Sequence, residues 1–231
     1  MTDDIPAFLD RRPLVWSFTM LHTYRDVCPH QAAQRYIYKT TPYLETPAMK
    51  WGNDVHSALE HRVAGGKPLP ETMMHWEHFA TPFDGRGAKT ELKLGVTAKG
   101  SATGFFDKDV WGRGKADCVL MSDDAAYLAD WKTGGSKYED PFELAVQAML
   151  LNAKFPGLRT IRAQYVWLKE ERVGQAYDVS DTAKTWNEIC EIVRSVESDK
   201  KAGEFKKKKG PLCKWCNVWS CENNTNPDKP T

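Results

Sequence analysis

The spacing of apolar residues changes several times along the chain, and each change predicts an element. In "SFTMLHTYRDVCPHQAAQRYIYK" (17–39) the spacing is helical, and Pro29 breaks the run. "MKWGNDVHSALEHRVAGG" keeps that period and stops at Gly65 and Gly66, a pair suited to closing a helix. "LPETMMHWEHFAT" predicts a third helix, and "TELKLGVT" alternates with period two, as a half-buried strand does. A glycine-rich passage, "AKGSATGFFDKDVWGRG", follows. Then "KADCVLM" and "AAYLADWK" predict two strands joined by the turn "SDD". "PFELAVQAMLLNAKF" is an amphipathic helix, and "TIRAQYVWLK" with "GQAYDVS" predicts a further hairpin. The last helix, "SDTAKTWNEICEIVRSVESDKKAG", takes Ser180 or Asp181 as its cap. Beyond it the chain is basic, then cysteine-rich, then polar and expected to fray. No internal repeat or interdomain linker interrupts this order.

Composition narrows the function classes. With 231 residues, 41% hydrophobic and 11% aromatic, the chain can bury one sizeable core. Lys and Arg (32) nearly cancel Asp and Glu (31), so attraction to a polyanion must be local. No apolar run approaches the ~18 residues of a membrane helix. "MTDDIPAFLDRRP" lacks the apolar centre of a secretion signal, so the expected location is the cytoplasm of a bacterial cell or of an infected host. In a reducing compartment six cysteines point to ligands or buried thiols.

The predicted strand "YLADWKTGG" holds two charges that its burial does not need. Asp130 and Lys132 lie two apart and share a face, while Trp131 points the other way. Pairing with "KADCVLM" can bring Asp117 alongside Asp130. Two converging carboxylates repel unless a cation sits between them, and hard oxygen ligands suit Mg²⁺ or Mn²⁺. A lysine beside that ion can position or help deprotonate a water and stabilise charge on a phosphate. Taken alone, an Asp–Lys pair reads as readily as a charged sheet edge.

Two other clusters carry chemistry. Cys213, Cys216 and Cys221 form C-x2-C-x4-C, a spacing that argues for a metal centre in want of a fourth ligand, with zinc suited by count. Cys118, inside a strand, and Cys190, on the last helix, read as unligated thiols. "FKKKKG" places Lys206, Lys207, Lys208 and Lys209 beside the cysteines, where they either track a phosphate backbone or remain a solvated run. Trp215 and Trp219 are expected to shield the metal centre rather than stack on bases.

Several of these stretches, in this order, resemble the RecB-like branch of the PD-(D/E)xK nuclease superfamily. "GKAD" supplies Asp117; "DWKTG" supplies Asp130, Lys132 and Gly134. "ELAVQAMLL" supplies Gln147, "WGNDVHSALE" supplies Gly52 and His56, "TELKL" supplies Glu91, and "YRDVCP" supplies Cys28. The likeness runs from about Ser17 to Cys221. It implies an α/β fold: a mixed central sheet flanked by helices, a restriction-endonuclease-like core, with a helical N-terminal region and a cysteine-ligated tail. It further implies one nuclease domain over 1–231, with a helical region (1–85), a catalytic sheet core (86–180) and a helix with a metal-cluster tail (181–231).

The resemblance also assigns roles. His56, Asp117, Asp130 and the Trp131 carbonyl would bind Mg²⁺ or Mn²⁺, with Glu91 as a possible additional acid. Lys132 would act on the attacking water and Gln147 would orient that water or the lysine. Tyr165 is expected in the core. Cys28, Cys213, Cys216 and Cys221 would hold a [4Fe–4S] cluster, as in AddB-type and CRISPR-associated relatives, with Zn²⁺ as the alternative. The cluster would tie the tail to the N-terminal helices. The implied activity is exonuclease action on single-stranded DNA or DNA ends. It would serve recombination, replication or CRISPR-linked processing, in a bacterium or from a phage, with a protein partner of such a pathway. A structure-selective endonuclease and a non-catalytic DNA-binding protein are the rival readings.

Overall fold

The computed structural model describes residues 14–229. In chain order its helices are α1 (Phe18–His22), α2 (Pro29–Ala32), α3 (Pro47–Gly65), α4 (Glu77–Ala80), α5 (Pro141–Lys154) and α6 (Thr182–Ala202). The strands are β1 (Lys89–Val96), β2 (Ala102–Thr103), β3 (Gly112–Met121), β4 (Ala125–Lys132), β5 (Thr160–Trp167), β6 (Arg172–Val173) and β7 (Tyr177–Asp178). The chain divides after Leu44 and again after Trp186 into two compact units.

The unit spanning Glu45–Trp186 holds the whole sheet, ordered β2-β1-β3-β4-β5-β6, with β7 also on β5. β1, β3 and β4 form an antiparallel meander, and β4 pairs parallel with β5 after the α5 crossover. This is the mixed sheet flanked by helices that the motifs imply. Val55 and Leu59 of α3 pack with Trp76, Phe79 and Phe83 against Cys118, Ala129, Trp131 and Val166 of the sheet. On α5, Leu144, Leu150 and Leu151 are buried, and Leu150 lies so close to Gly114 of β3 that a Cβ there would sit 2.9 Å from it.

Local rules explain the two helices that frame this unit. Thr46 caps α3 by accepting the Met49 N–H (3.2 Å), and Pro47 fills the first turn. Gly66 ends α3 in the left-handed conformation, φ +66°. Asp140 likewise accepts from the Phe142 N–H (3.0 Å) at the start of α5, before Pro141.

The expected third helix is only one α turn, α4, between tighter turns over Glu71–Trp76 and Thr81–Phe83. Met73, Trp76, Phe79 and Phe83 are all buried, and a spacing close to three suits the tighter turn. β3 begins earlier than its apolar pattern suggests, because Gly112 and Gly114 belong to the strand. The expected hairpin after α5 is split, since β6 and β7 each add two residues antiparallel to β5.

In the other unit, α1 and α2 each run on into a wider turn, over Thr23–Val27 and Ala33–Ile37. Cys28 between them is extended (φ −164°, ψ 116°), as a residue before proline prefers. Tyr24 donates to Asp199 of α6 (2.7 Å), and Arg25 pairs with Glu188 of α6 (2.8 Å). The first turn of α6 belongs to the sheet-bearing unit, where Asp181 caps it by accepting from the Lys184 N–H (3.0 Å). The tail does not fray over its described residues: Asn224 donates to the carbonyls of Cys216 and Val218 (2.9 Å each), and Asn226 to that of Cys216 (3.2 Å).

Arg62 of α3 is buried and fastens the segment after it. Its guanidinium forks onto Asp84 (2.7 and 2.9 Å) and reaches Glu77. Arg62→Ala is expected to lower unfolding free energy by about 1–3 kcal/mol, as lost charge-assisted hydrogen bonds do. Arg62→Lys should recover only part, because it lacks the planar fork. Urea unfolding of the three proteins measures both.

Candidate active site

The site forms where the ladder between β3 and β4 ends. The last register pair there is Cys118 with Ala129. One step further the carboxylate of Asp117 replaces a backbone acceptor and takes the Trp131 N–H at 2.9 Å. That substitution holds Asp117 beside the strand that carries Asp130. The Trp131 indole is buried edge-on to Phe83, with centroids 5.8 Å apart.

On the other side of β3, the register of β1 runs from Thr90 with Cys118 to Leu92 with Ala116, skipping Glu91. Glu91 is in the left-handed region, φ +46°. For a residue with a Cβ this costs on the order of 1–2 kcal/mol. Such strain persists only where surrounding contacts hold it. Here Lys115 sits 2.5 Å from Glu91 Oε2, and His56 Nδ1 of α3 lies 3.7 Å from Oε1. His56 Nδ1 is also 3.4 Å from Asp117 Oδ2. One donor atom from each of His56, Glu91 and Asp117 falls within 4.8 Å of the others, at the edge of an open cleft of about 470 Å³.

Asp130 and Lys132 belong to a second, drier layer. Gln147 of α5 donates to Asp130 Oδ1 at 2.6 Å, and the Lys132 ammonium is 2.8 Å from Oδ2. Lys132 is equally close, 2.8 Å, to Glu143 Oε2, one turn before Gln147 on α5. Tyr165 donates to the Asp140 carbonyl (2.7 Å) and lies 3.1 Å from Glu143, with its ring under the ammonium. Tyr165 is thus both core and lining. Glu143 has no role in the motif reading. Its signal was its place four residues before Gln147, on the same helix face.

Electrostatics follow from this packing. Burial pushes the Asp117 carboxyl up, the charge of Asp130 adds to it, and His56 opposes both. Burial alone would lower the His56 imidazolium, but hydrogen bonding to Asp117 and Glu91 raises it to about 10. Glu91 falls to about 2, held down by His56 and Lys115 against its own desolvation. For Lys132 burial again works downward, and Asp130 and Glu143 outweigh it, so the side chain is held as an ammonium. Glu143 rises to about 7 through burial and the Asp130 charge, against Lys132.

The residues present fit a divalent cation. Asp130 Oδ2 and Gln147 Oε1 are buried acceptors without an aligned hydrogen-bond donor. His56, Glu91 and Asp117 make a mostly oxygen donor set, the kind that Mg²⁺ and Mn²⁺ take, and Asp130 lies in the layer beneath it.

The four cysteines of the sequence pattern come together in the other unit. Cys28, Cys213, Cys216 and Cys221 line one cavity of about 130 Å³. The backbone N–H of Lys208 points at Cys28 Sγ (3.4 Å) and that of Gly210 at Cys213 Sγ (3.4 Å). Burial pushes the Cys216 thiol up, and Cys221, Cys28 and Cys213 push it further. Four sulfurs around one cavity, two of them faced by backbone N–H donors, fit a thiolate-bound metal centre. The lysine run is partly committed to this cradle. Lys206 accepts the His30 N–H through its carbonyl, Lys207 pairs with Glu222 (2.8 Å), and Lys208 donates to the Asp26 carbonyl (2.9 Å). Trp215, expected to shield the centre, is 68% exposed, and Trp219 is half-buried. Cys118 is buried in the sheet core and Cys190 is half-buried.

A mixed sheet with paired acids and a lysine at the end of its central strands defines a nuclease-type core that works with divalent metal ions. Residues 74–221, more than half of the chain, match the model of the PD-(D/E)XK nuclease superfamily, and the chain belongs to that family. His56 and Cys28 lie upstream of the matched residues. Solved structures similar to this chain include that of SSO0001, with 17% identity, TM-score 0.44, and coverage of 96% of this chain and 89% of that one. Another is a provisionally named exonuclease from Eubacterium rectale, with 12% identity, TM-score 0.47, and coverage of 94% and 91%. No curated protein matches the chain.

The protonated His56 gives the metal-free protein a distinctive pH response. Its folded value, about 10, lies above the ordinary histidine value of 6.5. The stabilisation it brings is therefore complete below about pH 6.5 and lost as pH rises through 10. Glu91, Asp117, Asp130 and Lys115 are the charged groups around it. In chelator, the urea midpoint of the wild type should fall more between pH 6.5 and 9.5 than that of His56→Ala.

Proposed function

We propose that the protein is a metal-dependent deoxyribonuclease of the RecB-like branch, acting as an exonuclease on single-stranded DNA or DNA ends. The observation that carries this reading is the placement of Asp117 beside the Asp130 strand, with Lys132 locked between Asp130 and Glu143. His56, Glu91, Asp117, Asp130 and the Trp131 carbonyl would hold Mg²⁺ or Mn²⁺. When bound, the cation supplies a Lewis acid for the phosphate and an acidified water as nucleophile.

The chain's own groups divide the remaining work. Lys132, kept protonated by two carboxylates, stabilises charge developing on the scissile phosphate and is unsuited to taking a proton. Gln147 fixes Asp130 through its amide nitrogen, and its open Oε1 can orient a water. Glu143 and Tyr165 hold the lysine in place.

The order of motifs from His56 to Cys221 supports the RecB-like assignment. It also supports a setting in recombination, replication or CRISPR-linked processing, in a bacterial or phage-infected cytoplasm with a protein partner of that pathway. No helix among the described residues is long and apolar enough to cross a membrane.

For the cysteines, the proposal is one [4Fe–4S] cluster. Four cysteines around one cavity suit either that cluster or zinc by count, and the order of motifs shared with the RecB-like branch supports the cluster. Its role is structural, joining Cys28 to the tail within one unit.

Two experiments test these readings. Wild type with Mg²⁺ or Mn²⁺ should degrade linear single strands or ends and spare circular and end-blocked DNA. Lys132→Ala and Asp117→Ala should each lose about 10²-fold or more in rate, as loss of a transition-state partner does. Degradation of circles would move the reading to an endonuclease, and near-normal cleavage by either variant would sink the site. Protein purified without oxygen should be brown, absorb near ~400 nm and carry iron and sulfide in equal amounts. Cys213→Ser should be colourless and Cys118→Ser coloured, whereas stoichiometric zinc in a colourless preparation would overturn the cluster.

A further inference from the structure

Beside the acidic site the sheet carries, next to the Lys115 that pairs with Glu91, two further cations and an exposed aromatic ring that the hydrolytic reading leaves unused. Lys93 of β1 is paired directly across from Lys115 of β3, and Gly95 across from Arg113. Residues two apart on a strand share a face, so these cations line up beside Glu91, about 7 Å along the strand per two residues. Like charges directly opposite each other destabilise a sheet unless something answers them. Lys115 is answered by Glu91. Among the described residues neither Lys93 nor Arg113 is paired with a carboxylate; both instead lie over rings. Lys93 is 5.7 Å from the centroid of Phe106, and Arg113 is 5.8 Å from Phe106 and 5.0 Å from Phe105.

Phe106 is 74% exposed, and the loop is built to keep it so. Phe105 and Phe106 are the central residues of a turn closed by the Asp107 N–H to the Gly104 carbonyl (3.2 Å). The Asp107 carboxylate clamps the turn from the side by accepting the Gly104 N–H at 2.7 Å, and Thr103 Oγ1 lies 3.0 Å from it and 2.8 Å from Asp109. Gly95 has no room for a Cβ, which would meet the Thr103 and Gly104 carbonyls at 2.9 Å, and a Cβ at Gly104 would press on the clamping carboxylate at 2.6 Å. A floppy loop would fold its phenylalanines down onto the sheet; this one holds a ring in solvent, edge-on to Phe105 and flanked by two cations.

We propose that Phe106 is a stacking platform for a base of single-stranded DNA, with Lys93, Arg113 and Lys115 following the phosphates from that base to the acidic site. The proposal rests on the nuclease reading above and specifies which strand form the site accepts. Cations in line supply sequence-independent attraction to a backbone, and an exposed ring stacks on any base. The interior of a duplex keeps its bases stacked on each other and leaves no face for the ring. The stacked base would lie roughly one to three nucleotides from the scissile phosphate, at 3.4 Å or more per nucleotide.

The test measures binding by fluorescence anisotropy in a Lys132→Ala background, so that DNA stays intact. The probes are a 15-nucleotide thymidine strand and an abasic strand of equal length. Phe106→Ala should weaken thymidine binding about tenfold and leave abasic binding unchanged, and Phe106→Trp should retain both. Lys93→Ala should weaken both probes alike and reduce the salt slope by about one. Thermal unfolding of Phe106→Ala should match its parent, since the ring is exposed. Equal thymidine affinity with and without the ring overturns the proposal. So does a Phe106→Ala change from dimer to monomer in sedimentation, which would make the ring a contact between copies. Stacking is read from binding alone. Failure of wild type to cleave any DNA would therefore count against the nuclease reading and leave the platform standing.

Discussion

Two carboxylates forced toward one another at the ends of β3 and β4 set the terms for everything around them. Asp117 is pushed toward its protonated form by burial and by Asp130, so each neighbour is chosen to answer negative charge. His56 and the Trp131 N–H answer Asp117; Lys132 and the Gln147 amide answer Asp130. Buried charges persist only when paired and hydrogen-bonded. The four partners arrive from three different elements, α3, β4 and α5. The fold around the site can therefore be read as the scaffold that delivers those four answers. A cation entering between the acids would displace the imidazolium proton and relieve the repulsion, which links metal affinity to pH.

Strain and rigidity concentrate where this scaffold meets the cleft. Glu91 gives up a ladder pair and takes a left-handed backbone, and the return is a carboxylate turned toward His56. The β1–β2 hairpin uses the opposite device: Gly95 lets the Thr103 and Gly104 carbonyls approach closely, and Gly104 makes room for the Asp107 carboxylate. Both features lie along β1 and its partners. Together they make one face of the sheet irregular in just the region where a polyanion would need to pass from an aromatic ring to a group of acids.

Much of this was legible in the sequence, for physical reasons that also mark the limits. The alternation around Asp130 and Lys132 placed them on one face, and hydrophobic period located α3, α5, α6 and the meander. The cysteine spacing singled out a site whose members the structure gathers into one cavity. What failed were features set by tertiary packing. Helical period could not separate an α helix from tighter turns in 71–83, because buried residues three apart satisfy both. Glu143 went unmarked, since nothing local reveals that β4 would bring Lys132 against it. Trp215 looked like a shield because tryptophan usually packs; the short turn Pro211–Trp215 leaves its ring outside. The polar tail looked frayed because its hydrogen bonds come from asparagine side chains reaching back to cysteine-loop carbonyls.

The state of Lys132 separates two mechanisms that the motif alone leaves equivalent. A lysine could take a proton from water if its neighbourhood favoured the neutral amine, as an apolar pocket does. Here desolvation does act in that direction, but two carboxylates at 2.8 Å overcome it. Glu143 is what decides the matter. Were Asp130 the lysine's sole partner, a cation drawing on that carboxylate would weaken the pairing and bring the neutral amine closer. With Glu143 as a second partner on α5, the ammonium survives that competition. The proton of the attacking water must then pass to a base other than Lys132 or to bulk solvent, while the lysine remains a fixed positive charge facing the phosphate.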